Sequence, residues 1–252
     1  VAGTLQGLLT LAEEGGGGDA VERAGWCAEH LLRMRREDPE SGLRAWATSS
    51  PVPETGFAHG SSGIAHALLE LYRRTEDARL YEAAMEAFAF ERSVYREDLR
   101  EWPDRRDQPA DRPLMSSWCH GAPGVGLSRL AALDVVRPDD EPGVASDLLL
   151  ALKKTSAAGV HGMNNLCCGT FGRVDVLLEA GRRLENPTLE RQARRMADEC
   201  LERTEGLGFV LPDYAEEEPH LRAGLWQGLA GVGYALLRLA DPERYPCILR
   251  MA

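Results

Sequence analysis

The sequence predicts an all-α protein built from inner and outer helical hairpins. Three observations carry that expectation. A Gly-x-x-Gly sequence recurs four times, each copy opens a run of apolar residues at helical spacing, and a more charged helical run separates one copy from the next. No segment alternates polar and apolar residues in the way a half-buried strand does.

The copies are Gly60-Ser61-Ser62-Gly63, Gly121-Ala122-Pro123-Gly124, Gly169-Thr170-Phe171-Gly172 and Gly228-Leu229-Ala230-Gly231, whose first glycines lie 61, 48 and 59 residues apart. The apolar residues that follow are Ile64, Ala67, Leu68 and Leu71; Val125, Leu127, Leu130 and Ala131; Val174, Leu177 and Leu178; and Val232, Ala235, Leu236 and Leu239. Those spacings are mainly i, i+3, i+4, i+7, one apolar face of a helix. Ala2-Gly3-Thr4-Leu5, followed by Leu8, Leu9 and Ala12, reads as a fifth copy, so the chain is expected to begin inside a repeat.

The charged helices are expected over Ala20 to Arg36, Asp77 to Tyr95, Pro142 to Ala157 and Pro187 to Thr204. Small apolar helices alternating with charged ones give two layers, the inner one shielded by the outer. Linkers fall at Gly15 to Gly18, Trp102 to Pro113, Asp134 to Gly143 and Gly206 to Gly224, and the acidic run Glu216-Glu217-Glu218 reads as solvated loop. Paired glycines at a helix start allow close packing and a tight turn. They also deliver the residue just before them to a common place.

Composition bounds the function. The 252 residues allow one large domain or two small ones, of which a single domain over residues 1–252 is expected, and 44% hydrophobic residues are enough to bury a large core. A net charge of −11 and the lack of any basic run exclude nucleic acid and anionic membrane surfaces as partners. Apolar stretches such as Ala65 to Leu71 stop well short of the ~20 residues that span a bilayer, so no membrane span is expected. The opening Val1-Ala2-Gly3-Thr4-Leu5 has no basic or long apolar region of a secretion signal, and the chain reads as cytoplasmic. Six cysteines are too sparse for a disulfide scaffold and are expected as thiols, with metal binding or catalysis as their special use.

Aligned on the first glycine, the four copies place His59, His120, Cys168 and Gln227 immediately before it, and Ala58, Cys119, Cys167 and Trp226 one residue earlier. If the repeats close into a ring, equivalent positions at one end of the inner helices converge on its axis. Cys119, Cys167 and Cys168 then supply three thiolates to a zinc ion and leave a fourth position open, as a catalytic zinc requires. His59 sits at a helix start, where the dipole disfavours imidazolium, and so suits a base or proton shuttle; capping or packing is its plainer role. Cys27, Cys200 and Cys247 read as small buried hydrophobes, and His30, His66 and His220 as helix-face or loop residues. His161, close to the cysteine pair, is open as a ligand or a supporting residue.

These residues make the sequence resemble the lanthionine synthetase C-like family, specifically the carboxy-terminal cyclase portion of a class II bifunctional lanthipeptide synthetase. The resemblance rests on Gly56-Phe57-Ala58-His59-Gly60-Ser61-Ser62-Gly63, on Trp118-Cys119-His120-Gly121-Ala122-Pro123-Gly124, on Asn165-Leu166-Cys167-Cys168-Gly169, on Trp226-Gln227-Gly228-Leu229-Ala230-Gly231-Val232-Gly233-Tyr234, and on Leu237-Arg238-Leu239-Ala240-Asp241-Pro242.

The resemblance implies an α/α toroid of inner and outer helices, incomplete at the N-terminal side of this chain, with zinc at the centre of one face. It assigns Cys119, Cys167 and Cys168 as metal ligands, with Cys168 standing where most members carry histidine. His59 takes the place of the catalytic histidine, and His120 is a second candidate to donate or orient a proton.

The implied activity is thioether formation. A cysteine thiol of a precursor peptide, which carries a leader and a dehydrated core, adds to dehydroalanine or dehydrobutyrine. The implied partners are that peptide and the dehydratase portion of a parent protein, and the chain alone is expected to be inactive because the family's catalytic aspartate would precede Val1. The competing reading is a non-catalytic module that holds zinc and a thiol such as glutathione. A glycan-active toroid is less favoured, because no carboxylate occupies the repeated position.

Overall fold

The computed structural model describes residues 1–106, 115–136, 141–212 and 222–250. Among them, four hairpins pack side by side: α1 (Ala2–Glu13) with α2 (Ala20–Arg33), α3 (Ser61–Thr75) with α4 (Ala78–Ser93), α5 (Ala122–Ala132) with α6 (Pro142–Ala158), and α7 (Thr170–Arg183) with α8 (Pro187–Thr204). A further helix, α9 (Leu229–Ala240), packs on α7. Neighbouring contacts run α1, α3, α5, α7, α9, so every Gly-x-x-Gly helix belongs to the inner layer. All of α5 and residues Thr170–Gly181 of α7 are buried, whereas α8 buries only a stripe of Ala193, Met196, Ala197 and Cys200. That difference is what small apolar and charged helices dictate.

The glycine pairs have a steric cause. Before each inner helix the chain folds back over the first turn, and a Cβ on the second glycine would strike the carbonyl oxygen six residues earlier: Phe57 for Gly63, Trp118 for Gly124, Leu166 for Gly172 and Leu225 for Gly231. Only a residue without a side chain permits that approach. The two residues before each first glycine are thereby fixed at the pole of their helix.

Two of the outer helices, α4 and α8, start at a side-chain cap. Asn186 accepts the Thr188 and Leu189 N–H groups ahead of Pro187, and Asp77 accepts the Arg79 N–H. The helix expected to reach Arg36 ends at Arg33, because Arg36–Glu37 (β1) pairs antiparallel with Arg44–Ala45 (β2). The all-α expectation holds with this one short ribbon beside the helices, since two residues are too few to show alternation. Glu86 of α4 holds the ribbon through the Arg44 N–H (3.1 Å) and the Arg35 and Arg44 guanidinium groups.

Charges inside the layers are paired. Arg129 of α5, with no exposed surface, bonds Glu91 of α4 at 2.6 Å and Asp147 of α6 at 3.3 Å, and Arg238 of α9 bonds Asp175 (2.5 Å) and Glu179 of α7. A short 3-10 turn, Ile248–Arg250, ties the inner layer together. The Arg250 carbonyl accepts from Gln6 of α1 (3.2 Å) and from the His66 Nε2 of α3 (3.0 Å), and the Leu249 carbonyl accepts from Trp118 Nε1 (3.0 Å). Burial, and then the charge of Arg250, push the His66 imidazole down to about 3, so the ring donates as a neutral group.

His66 thus lies on a helix, as expected, but as a buried clasp. Cys200 and Cys247 are buried as expected, and Cys27 is half-buried against the core. The Glu216–Glu218 run and His220 lie outside the described residues. No helix among the described residues is long and apolar enough to cross a membrane.

Candidate metal centre

The loops that precede the inner helices are joined edge to edge. The Cys119 N–H donates to the Cys167 carbonyl (3.3 Å), and the Cys167 N–H donates to the Trp226 carbonyl (2.9 Å). These are the residues two before the first glycine in the second, third and fourth copies, so the repeated position forms one backbone ladder. The ladder brings the thiol sulfurs of Cys119, Cys167 and Cys168 to within 4.8 Å of one another.

Further bonds fix the two cysteine loops. The Cys168 N–H donates to Asn165 Oδ1 at 2.7 Å. Buried Arg173, in the first turn of α7, donates to the Ser116 carbonyl (3.3 Å), the His161 carbonyl (3.2 Å) and Thr170 Oγ1 (3.0 Å). Ser117 Oγ donates to the His120 carbonyl at 3.0 Å and lies 3.2 Å from the Cys119 sulfur. Trp118, next to Cys119, stacks on Trp226 with centroids 4.8 Å apart and planes 3° from parallel.

The donor chemistry suits a thiophilic divalent cation. Hydrogen bonds from Cys167 and Cys168 hold the Cys119 thiol well below the ordinary thiol range, while the same contacts push Cys167 and Cys168 above it. The protein alone therefore favours one thiolate shared among three sulfurs. A dication makes three thiolates compatible, and three cysteine sulfurs within 4.8 Å of one another are a donor set that zinc accepts.

Both predicted histidines reach this centre. His59 and His120 stack with centroids 5.3 Å apart and planes 11° from parallel. Their surroundings differ: His59 is exposed, whereas His120 is 2% exposed and neither ring nitrogen has a hydrogen-bond partner among the described residues. Burial pushes the His120 imidazole below the ordinary histidine range. His59 also lines two cavities, one of about 490 Å³ beside Gln6, Trp46 and Phe57, the other of about 540 Å³ beside Trp118, Cys167 and Trp226. Gln227 lines the second. His161 is exposed and stands outside the sulfur group, contributing its backbone carbonyl to Arg173.

Three residues of the site went unrecognised in the sequence. Asp104 lies 3.8 Å from His120 Nδ1 and is gripped by Arg106 through Nε (2.9 and 3.1 Å) and Nη2 (2.5 Å). Burial pushes the Asp104 carboxyl up, but Arg106 and His120 bring it below the ordinary carboxylate range. They belong to an irregular linker, so no periodicity marks them. The third is Glu101, whose carboxylate accepts the Ala122 N–H at 2.6 Å and the Trp102 N–H at 3.0 Å and so receives the N-terminus of α5.

Burial pushes the Glu101 carboxyl up to about 7 from an ordinary 4.5. The folded protein then keeps a proton that the unfolded chain has released, so the associated stability is present below pH 4.5 and is lost as pH rises to about 7. Denaturant unfolding is expected to show this loss, on the order of 3 kcal/mol across that window, and Glu101→Gln is expected to remove it.

Comparison with known proteins gives a consistent picture. A family model described as lanthionine synthetase C-like protein matches residues 1–250. The chain is 26% identical over 197 residues to the Lacticin 481/lactococcin biosynthesis protein LcnDR2 of Lactococcus lactis subsp. lactis, an alignment covering 72% of this chain and 20% of that one. The chain therefore spans about a fifth of the length of that relative. Among solved structures, nisin cyclase superposes with a TM-score of 0.69 at 16% identity, over all of this chain and 65% of that one, and so shares its α/α-toroid fold. Because the family match runs through every Gly-x-x-Gly turn and both cysteine loops, the chain belongs to the lanthionine synthetase C-like family.

Proposed function

We propose that this chain is the cyclase portion of a lanthipeptide synthetase and forms lanthionine or methyllanthionine in a dehydrated precursor peptide. The observation that carries this reading is the convergence of three cysteine sulfurs beside a stacked pair of histidines at one pole of the inner helices. Zinc, held by Cys119, Cys167 and Cys168, would supply Lewis acidity that lowers the pKa of a substrate thiol.

The reaction adds S–H across a carbon–carbon double bond. The sulfur bonds to Cβ of dehydroalanine or dehydrobutyrine, the π electrons move to Cα, and a proton then arrives there, so product and substrate are isomers. The chain's own residues manage the proton and the approach. The proposed proton exchanger is His59, and its exposure and its position on both cavities support that role. Trp118 and Trp226 offer an apolar wall beside Cys167. His120, buried against His59, is the second proton-carrying group. The leader-bearing peptide and a dehydratase portion are the proposed partners, and the cytoplasm the proposed location.

Because cyclisation leaves mass unchanged, the test counts thiols. The natural polypeptide that carries this chain is incubated with dehydrated precursor, alkylated, and the peptide weighed. The expected product takes up fewer alkyl groups as rings form, and His59→Ala slows that loss by roughly 10²–10⁴-fold with zinc retained. If every thiol of the peptide stays reactive while the protein holds zinc and a small thiol, the chain is a binding module and the cyclase reading is wrong.

A further inference from the structure

We propose that Asp104, clamped by Arg106, is a positioning residue that fixes the orientation and tautomer of His120, placing the proton on Nδ1 and leaving Nε2 free to act. The inference rests on the cyclase reading for its catalytic meaning, but its structural content stands apart from it. His120 is 2% exposed, and neither ring nitrogen has a partner among the described residues. A buried imidazole with both nitrogens unbonded carries a desolvation cost that proteins rarely leave uncompensated. Asp104 Oδ1 faces its Nδ1 at 3.8 Å, about one ångström beyond a hydrogen bond, a gap of the kind that catalytic pairs close when substrate arrives.

Asp104 cannot drift away from that task. The Arg106 guanidinium binds both carboxylate oxygens and the Arg106 N–H binds Oδ1 at 3.1 Å. The segment carrying Asp104 is also anchored at both neighbouring copies of the repeat. The Pro103 carbonyl accepts from Thr55 Oγ1 (2.6 Å) just before the α3 turn, and Glu101 binds the N-terminus of α5. The linker between α4 and α5 thus spans the two histidine turns and holds a carboxylate against the inner ring. With its Nδ1–H directed to Asp104, the His120 ring is held in one orientation on the face of His59, as carboxylate partners hold catalytic imidazoles elsewhere.

Two readouts test the inference. In the chain labelled with ¹⁵N-histidine, at a pH where imidazoles are neutral, the His120 signals are expected to report Nδ1–H in the wild type and in Asp104→Asn, which keeps an acceptor. In Asp104→Ala and Arg106→Ala they are expected to shift toward Nε2–H. An Nε2–H tautomer in the wild type, or no shift in Asp104→Ala, overturns the proposal.

In the natural polypeptide that carries this chain, Asp104→Ala is expected to lower kcat by about 10–100-fold with KM and zinc content unchanged, and to cost nothing further in a His120→Ala background. Losses that add in the double variant, or a change confined to KM, overturn it. If the wild type makes no rings at all, the cyclase reading fails, and the tautomer measurement still decides the role of Asp104.

Discussion

Replacing Cys119 by alanine is expected to strip the protein of its metal. The wild type is expected to carry one zinc per chain after gel filtration, and Cys119→Ala none. Cys119 comes from the loop before α5, whereas Cys167 and Cys168 are neighbours in the loop before α7. Its loss leaves only two sulfurs on one loop, too few to retain a metal site whose free energy is shared among its ligands. The cost is several kcal/mol, on the order of 10³-fold in affinity. Cys200→Ala is the control. That sulfur is buried elsewhere, accepting from Asn164 Nδ2 at 3.1 Å, and its removal is expected to leave zinc content unchanged. Ring formation is expected to follow the metal, lost in the first variant and kept in the second.

The largest loss of stability is expected from Glu91→Ala. Glu91 and Arg129 both lack exposed surface, and Glu91 also accepts the Gly56 N–H (3.0 Å) and Ser62 N–H (3.1 Å) at the turn that carries His59. Truncation leaves a guanidinium buried with Asp147 as its only remaining acidic partner among the described residues and removes the acceptor from the α3 N-terminus. Breaking a buried pair from one side costs about 3–5 kcal/mol. Denaturant unfolding measures it, and the paired variant Glu91→Ala with Arg129→Met is expected to recover a large part, because it removes the stranded charge.

The inner helices were legible in the sequence because their cause is steric and repeats: a glycine wherever the backbone crosses a helix start. The same register placed Cys119 and Cys167 at one position of the repeat, and the hydrogen-bonded ladder through Trp226 is the physical form of that alignment. Glu91 left a trace that could have been read. It continues the buried face of α4 after Leu80, Ala83, Ala84 and Ala87, and a carboxylate on such a face requires a buried partner. Asp104 and Arg106 left none, since an irregular linker gains its place only when the folded repeats offer Thr55 and the α5 N-terminus as anchors. The tail behaved likewise: Leu249 is fully buried and Arg250 joins α1 to α3 through bonds that no local pattern encodes.

The central claim is that Cys119 and the distant pair Cys167 and Cys168 bind a single zinc ion with three sulfurs. X-ray absorption at the zinc edge of the metal-loaded chain tests it most directly. The expected spectrum shows three sulfur scatterers at about 2.3 Å and one lighter atom, falling below three sulfurs in Cys168→Ser. A shell of nitrogen and oxygen with one sulfur or none, in a protein that is folded and loaded with zinc, would contradict the account.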